Sequence, residues 1–203
     1  MFAIVDYGVG NLHSVASAFR AVGAETIVTS DAETLIRAEA IILPGVGAFP
    51  DAWEQLTRSG LIPVIRSEAS HKPLLGICLG MQLLFTKSEE IRETQGLDLI
   101  PGTVRRIPTS EKLPQIGWNA LTFPNTSRFF DGIHEGDHVY FVHSFMTFPA
   151  ESADIAALTD YGSSVTAAVV RGFVYGCQFH PEKSGDVGLQ IIRNFCRITK
   201  ENP

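Results

Sequence analysis

The chain of 203 residues has little cysteine: Cys78, Cys177 and Cys196, widely spaced. That excludes the disulfide framework of a small secreted domain and fits a reducing compartment, the cytoplasm. It has no run of lysine or arginine, and its formal charge is -6. A nucleic-acid partner would call for a basic stripe, so that class is set aside. No apolar run approaches the roughly 18 residues of a membrane span. The opening "MFAIVDYG" has neither a basic segment nor a long apolar one, so it does not read as a secretory leader. Linkers, repeats and low-complexity segments are also missing, so residues 1–203 read as one domain. What is there is ordinary for a soluble globular protein: 45% hydrophobic and 19% charged. A chain of this length buries roughly 70% of its unfolded surface, enough for one core.

Short apolar runs alternate with helical patterns in the first half. "FAIVD" (2–6), "ETIVT" (25–29), "AIIL" (40–43) and "PLLGI" (73–77) read as strands. Asn11 is placed to cap a helix carrying Leu12, Val15, Ala16 and Phe19. Helices are expected near 51–58 and 61–69, and another over 79–87. That alternation predicts an α/β fold with a mostly parallel sheet covered on both faces. In the second half, "GTVRRI", "IGWNALTF", "HVYFVHSF", "IAALT", "VTAAVV" and "FVYGCQF" read as strands joined by turns, an antiparallel extension. A helix over 185–199 closes the chain, with Leu189, Ile192, Phe195 and Cys196 on one face, and "TKENP" reads as a frayed tail.

Within "PLLGICLGMQLLF", Gly76 and Gly80 flank Cys78 by two residues on each side. Glycine weakens both strands and helices, so its placement needs a reason. The pattern G-x-nucleophile-x-G supplies one: a strand ends, turns sharply and enters a helix, with the reactive side chain at the apex. A helix start behind a thiol favours thiolate. The plainer reading of any free cysteine is a packed core residue. Cys196, on an apolar helix face, and Cys177, in an apolar strand, read that way. Cys78 stands between the two readings until a base is found.

"CQFHPEKS" offers one in His180, at a strand end. Pro181 biases His180 to extended backbone. On an extended chain Glu182 would share its side and could hold one imidazole nitrogen while the other faces a thiolate. A metal reading of Cys177 and His180 fails for want of further ligands on one short strand. His13, His71, His134 and His138 read as surface residues, and His143 as structural rather than catalytic.

Taken in order, "VDYGVGNLHSV" (5–15), "LPGVGAF" (43–49), "GICLGMQLLF" (76–85), "PQIGWN" (114–119), "YFVHSF" (140–145) and "FHPEKS" (179–184) resemble the class I, or triad, glutamine amidotransferases. The resemblance spans nearly the whole chain. Within the class, "CLGMQ" and "PGVG" are closest to the glutaminase subunits of imidazole glycerol phosphate synthases. It implies Cys78 as nucleophile toward the glutamine side chain, His180 as acid and base, and Glu182 as its orienter. It implies an oxyanion hole from Leu79 N–H and the Val46–Gly47 peptide, and substrate glutamine against Gly47, Gln82, Ser144 and Phe145. It implies no cofactor and no metal.

The same resemblance implies a (β/α)₈-barrel cyclase partner that receives ammonia, facing Asn11, Trp118, Tyr140 and Lys183. Trp118 and Tyr140 fit an interface centre or, equally, the chain's own core. Gln115 departs from the pattern, since many relatives have histidine there. Two other readings stay open: an amidotransferase feeding a different synthase, and a non-catalytic subunit on the same scaffold. Intact Cys78, His180 and Glu182 weigh against the last.

Overall fold

The computed structural model describes residues 1–201. Its elements run β1 (Phe2–Val5), α1 (Leu12–Ala21), β2 (Thr26–Thr29), α2 (Ala32–Arg37), β3 (Ala40–Gly45), α3 (Phe49–Ser59), α4 (Ile62–Glu68) and β4 (Leu74–Cys78). Then come α5 (Leu79–Leu83), β5 (Phe85–Ser88), β6 (Thr94–Gln95), β7 (Ile100–Arg106), β8 (Gln115–Ala120), β9 (His138–His143) and β10 (Phe145–Pro149). The chain closes with β11 (Ile155–Asp160), β12 (Ser164–Arg171), β13 (Val174–Cys177) and α6 (Gly185–Glu201).

Seven strands form the main sheet in the order β11-β12-β13-β4-β3-β1-β2. From β13 to β2 every pairing is parallel, and β11 and β12 extend it antiparallel. Alternate strand residues point to opposite faces. Phe2, Ile4, Ile42 and Ile77 therefore pack with Phe19 of α1 and Phe195 of α6 on one side. Ala3, Val5, Ile41 and Leu43 pack with Leu35, Leu56 and Ile65 of α2–α4 on the other. Phe2, Phe19 and Phe195 meet with ring centroids 5.8–6.4 Å apart, which fixes α1 against α6.

Three expectations need correction. The antiparallel half does not all join the main sheet: β10-β7-β5-β6 form a second sheet and β8-β9 a two-stranded ribbon. The helix expected over 79–87 ends at Leu83, because the Leu83 and Leu84 carbonyls accept from the N–H groups of Leu97, Leu99 and Ile100 instead of the next helical turn. Phe85 then starts a strand. The tail is helical as far as Glu201, while Asn202 and Pro203 lie outside the described residues.

Candidate active site

β4 ends at Cys78 and α5 starts at Leu79 with no residue between. Cys78 makes that turn with φ 55° and ψ -113°, a region that residues bearing a Cβ rarely adopt. The flanking glycines show why they are required. A Cβ on Gly76 would lie 2.7 Å from the Gly80 carbonyl oxygen, and one on Gly80 would lie 1.7 Å from the Leu43 oxygen. The start of α5 is thus pressed against both β4 and β3.

β13 runs parallel beside β4, with Cys177 opposite Ile77, so the residues after β13 emerge at the same sheet edge as Cys78. The sulfur of Cys78 and the ring of His180 come within interaction distance there, in the wall of one cavity. His180 Nδ1 donates to Glu182 Oε1 at 2.8 Å, which leaves Nε2 for the sulfur. Both side chains are buried, at 4% and 2% exposure. Glu182 reaches His180 differently from expectation. His180 is extended, as Pro181 requires, but Pro181–Lys183 form a single 3-10 turn that folds the carboxylate back. The His180 backbone is also clamped. Its N–H donates to Tyr140 O at 2.9 Å, and its carbonyl accepts from the Ser184 hydroxyl at 2.6 Å. Ser184 in turn accepts from Tyr140 N–H at 3.0 Å.

Burial alone would pull the His180 pKa down. Hydrogen bonds to Cys78 and Glu182, with the charges of both, outweigh it and raise the imidazole to about 9. His180 therefore carries its proton at neutral pH. Tyr7 lies under the same turn and its hydroxyl donates to Pro44 O at 2.8 Å. Burial, and then the nearby Cys78 charge, push the Tyr7 phenol up.

Cys78 and His180 open into a cavity of about 310 Å³. Val46, Gly47, Leu79, Gln82, Ser144 and Phe145 line it as well. Every residue expected as nucleophile, base, oxyanion donor or substrate contact is brought together here, with Glu182 just behind. Gln82 Nε2 donates to Phe145 O at 3.0 Å and to Gln178 Oε1 at 2.9 Å.

Three residues were not picked out from the sequence as part of the site. Glu90 lines the cavity and accepts from Phe49 N–H at 2.9 Å; burial raises its carboxyl, against that hydrogen bond. His143, read as structural, lines it too. Its Nδ1–H donates to Phe145 O at 2.8 Å, and burial holds the ring down to about 4, so it stays neutral. Gln178 is fully buried with its amide nitrogen 3.7 Å from the Cys78 sulfur. It stands two residues before His180 at the end of an extended segment, the spacing that shares a side. That signal was available in the sequence.

The remaining candidates sit outside the cavity. Trp118 is 53% exposed, so its ring is no part of the chain's own core. It meets Tyr140 edge-on at 6.1 Å, and Lys183 Nζ lies 5.9 Å over the Tyr140 ring. Asn11 is exposed and its side chain accepts from Ser14 N–H at 3.3 Å, capping α1. Gln115 is fully buried opposite His143 in the β8–β9 ribbon, so its departure from the pattern falls inside the chain. Cys177 is buried with its sulfur 3.9 Å from Gly76 O.

The family model for glutamine amidotransferase class-I matches residues 3–198. This chain belongs to the class I glutamine amidotransferases. It is 47% identical over 196 residues to the imidazole glycerol phosphate synthase subunit HisH of Bacillus thuringiensis (strain Al Hakam), covering 96% of this chain and 93% of that protein. The HisH subunit of Bacillus anthracis (strain A0248) is similar to the same extent. Among solved structures, one described as a glutamine amidotransferase superposes with a TM-score of 0.77 at 20% identity, covering 98% of both chains. The structure of PurLQS from Thermotoga maritima superposes at 0.75 and 20% identity, covering 97% of both chains. At that identity these two speak for the fold alone. Among the described residues no helix is long and apolar enough to cross a membrane.

Proposed function

We propose that this amidotransferase is the glutaminase subunit of an imidazole glycerol phosphate synthase, with Cys78, His180 and Glu182 as its triad. The observation that carries the reading is the Cys78–His180 contact in the wall of one cavity, with Glu182 bonded behind. The Cys78 thiolate attacks the side-chain carbonyl carbon of glutamine. The oxyanion is met by Leu79 N–H and by the Val46–Gly47 peptide. One such donor is commonly worth roughly 10²–10³ in rate. His180, already protonated, gives its proton to the departing nitrogen, and ammonia leaves a γ-glutamyl thioester on Cys78. The now neutral His180 takes a proton from water, whose oxygen attacks the thioester, and glutamate leaves with thiolate and imidazolium restored. Glu182 holds Nδ1 throughout. Gly47, Gln82, Ser144 and Phe145 contact glutamine, and the Glu90 carboxylate suits its α-ammonium.

Ammonia released to water would be protonated and lost, so it passes to a cyclase subunit with a (β/α)₈ barrel. The pair forms imidazole glycerol phosphate and aminoimidazole carboxamide ribotide in histidine biosynthesis, in the cytoplasm. The cyclase covers Asn11, Trp118, Tyr140 and Lys183. An exposed tryptophan packed on a tyrosine beneath a lysine has the composition of an interface centre. The Tyr140 backbone bonds directly to His180, a short route from that surface to the base. Glutaminase assays of Cys78→Ser and the parent, both with the cyclase, test the reading: the variant is expected to lose at least about 10³ in rate. Equal activity would contradict it.

A further inference from the structure

The orientation of two buried side-chain amides is forced, and it points an N–H at the proposed nucleophile. The Phe145 carbonyl can only accept, so Gln82 must turn its amide nitrogen toward it. The second hydrogen of that nitrogen goes to Gln178 Oε1. With its oxygen so occupied, Gln178 must present its own NH₂ on the other side, 3.7 Å from the Cys78 sulfur. Gln82 is 4% exposed and Gln178 fully buried, so water does not compete for either amide.

We propose that Gln178 is a positioning residue for glutamine hydrolysis, donating to the Cys78 sulfur and tied through Gln82 to the Phe145 carbonyl. It gives the sulfur, on a backbone at φ 55°, a second polar side chain beside His180. With it the thiolate is held from two directions, and its hold is set by the same Gln82 and Phe145 that line the substrate cavity. The inference rests on Cys78 being the nucleophile. The titratable groups around the sulfur are His180, Tyr7 and Cys177, with Glu182 and His143 beyond His180.

The test follows Cys78 alkylation by iodoacetamide against pH, a readout that needs neither glutamine nor the partner. Gln178→Met keeps length and removes the donor. It is expected to slow alkylation at pH 7 about tenfold and to move the apparent midpoint of the profile up by about one unit. Gln178→Glu, nearly isosteric, is expected to move it further, since it sets a second negative charge beside the sulfur. Profiles within twofold of the parent, in variants with unchanged circular dichroism and melting temperature, would overturn the inference. In ¹⁵N-labelled parent protein the Gln178 side-chain amide protons are expected to shift as the Cys78 sulfur titrates; resonances indifferent to it would overturn the inference without any variant. The expected alkylation shifts in the variants, together with no glutaminase activity of the parent in the complex, would instead contradict the proposed function and leave the hydrogen bond standing.

Discussion

At the end of β4 the backbone has no room to move. Gly76 and Gly80 lie within contact of neighbouring backbone, and Cys78 between them is held in a left-handed turn. At the end of β3, one strand over, Tyr7 fixes the Pro44 carbonyl, but fixation stops at Gly45. Val46 is 43% exposed, and Gly47, at φ +95°, has nothing within 4 Å of where a Cβ would stand. The two strand ends lie side by side, Gly45 opposite Cys78, and the residues beyond them line one cavity. The proposed nucleophile thus sits on the closely packed strand end, and the peptide proposed as an oxyanion donor has open space around it. That contrast would let the nucleophile stay in place while the rate depends on the loop.

Disrupting the rigid side has the largest expected effect. Gly80→Ala should cost upwards of about 3 kcal/mol, because backbone on β3 cannot retreat from the new Cβ. The measurement is soluble yield and thermal unfolding, and parent-like stability would contradict the packing described. On the free side, Gly47→Ala should cost about 1–2 kcal/mol, the price of a left-handed alanine in an open loop. Its glutaminase activity with the partner should fall about 10²–10³ as a donor is mispositioned. A large stability loss with activity intact would exchange the roles of the two strand ends.

The two cavity histidines add a contrast of their own, through opposite pH dependence. His143 is lowered from 6.5 to about 4, so its contribution is complete above pH 6.5 and fades as pH falls toward 4. His143→Gln should therefore flatten acid destabilisation in that window. His180 is raised from 6.5 to about 9, so its contribution is complete below pH 6.5 and is lost as pH rises through 9. His180→Gln should flatten the alkaline limb. Each effect is a few kcal/mol at most. Urea unfolding at stepped pH reads both, and one shared direction would contradict the assignment. The smallest effect is expected from Lys183→Glu, a few-fold loss of cyclase affinity and coupling, since a cation 5.9 Å over a half-buried surface ring is worth about 0.5–1 kcal/mol. Unchanged affinity and coupling would remove Lys183 from the interface.

The strands of the parallel half were legible because buried apolar runs and glycine breaks are local signals. The Cys78 turn was legible for the same reason, since Gly76 and Gly80 have no other use at that spacing. What escaped was set by distant partners. α5 stops at Leu83 because residues from 97 to 100 take its last carbonyls. Glu182 reaches His180 through a tight turn that extended spacing did not foretell. Glu90 and His143 join the cavity only through the second sheet and the β8–β9 ribbon, pairings that no local pattern fixes. Gln178 is the exception: its spacing to His180 was informative, but a glutamine in an apolar run carries no obvious chemistry until its neighbours are known.

The deciding measurement is mass spectrometry of the protein, with its cyclase, after treatment with a diazoketone analogue of glutamine. A single adduct on Cys78, lost in His180→Ala, is the expected result. Modification of Cys177 or Cys196 with Cys78 untouched would contradict the account.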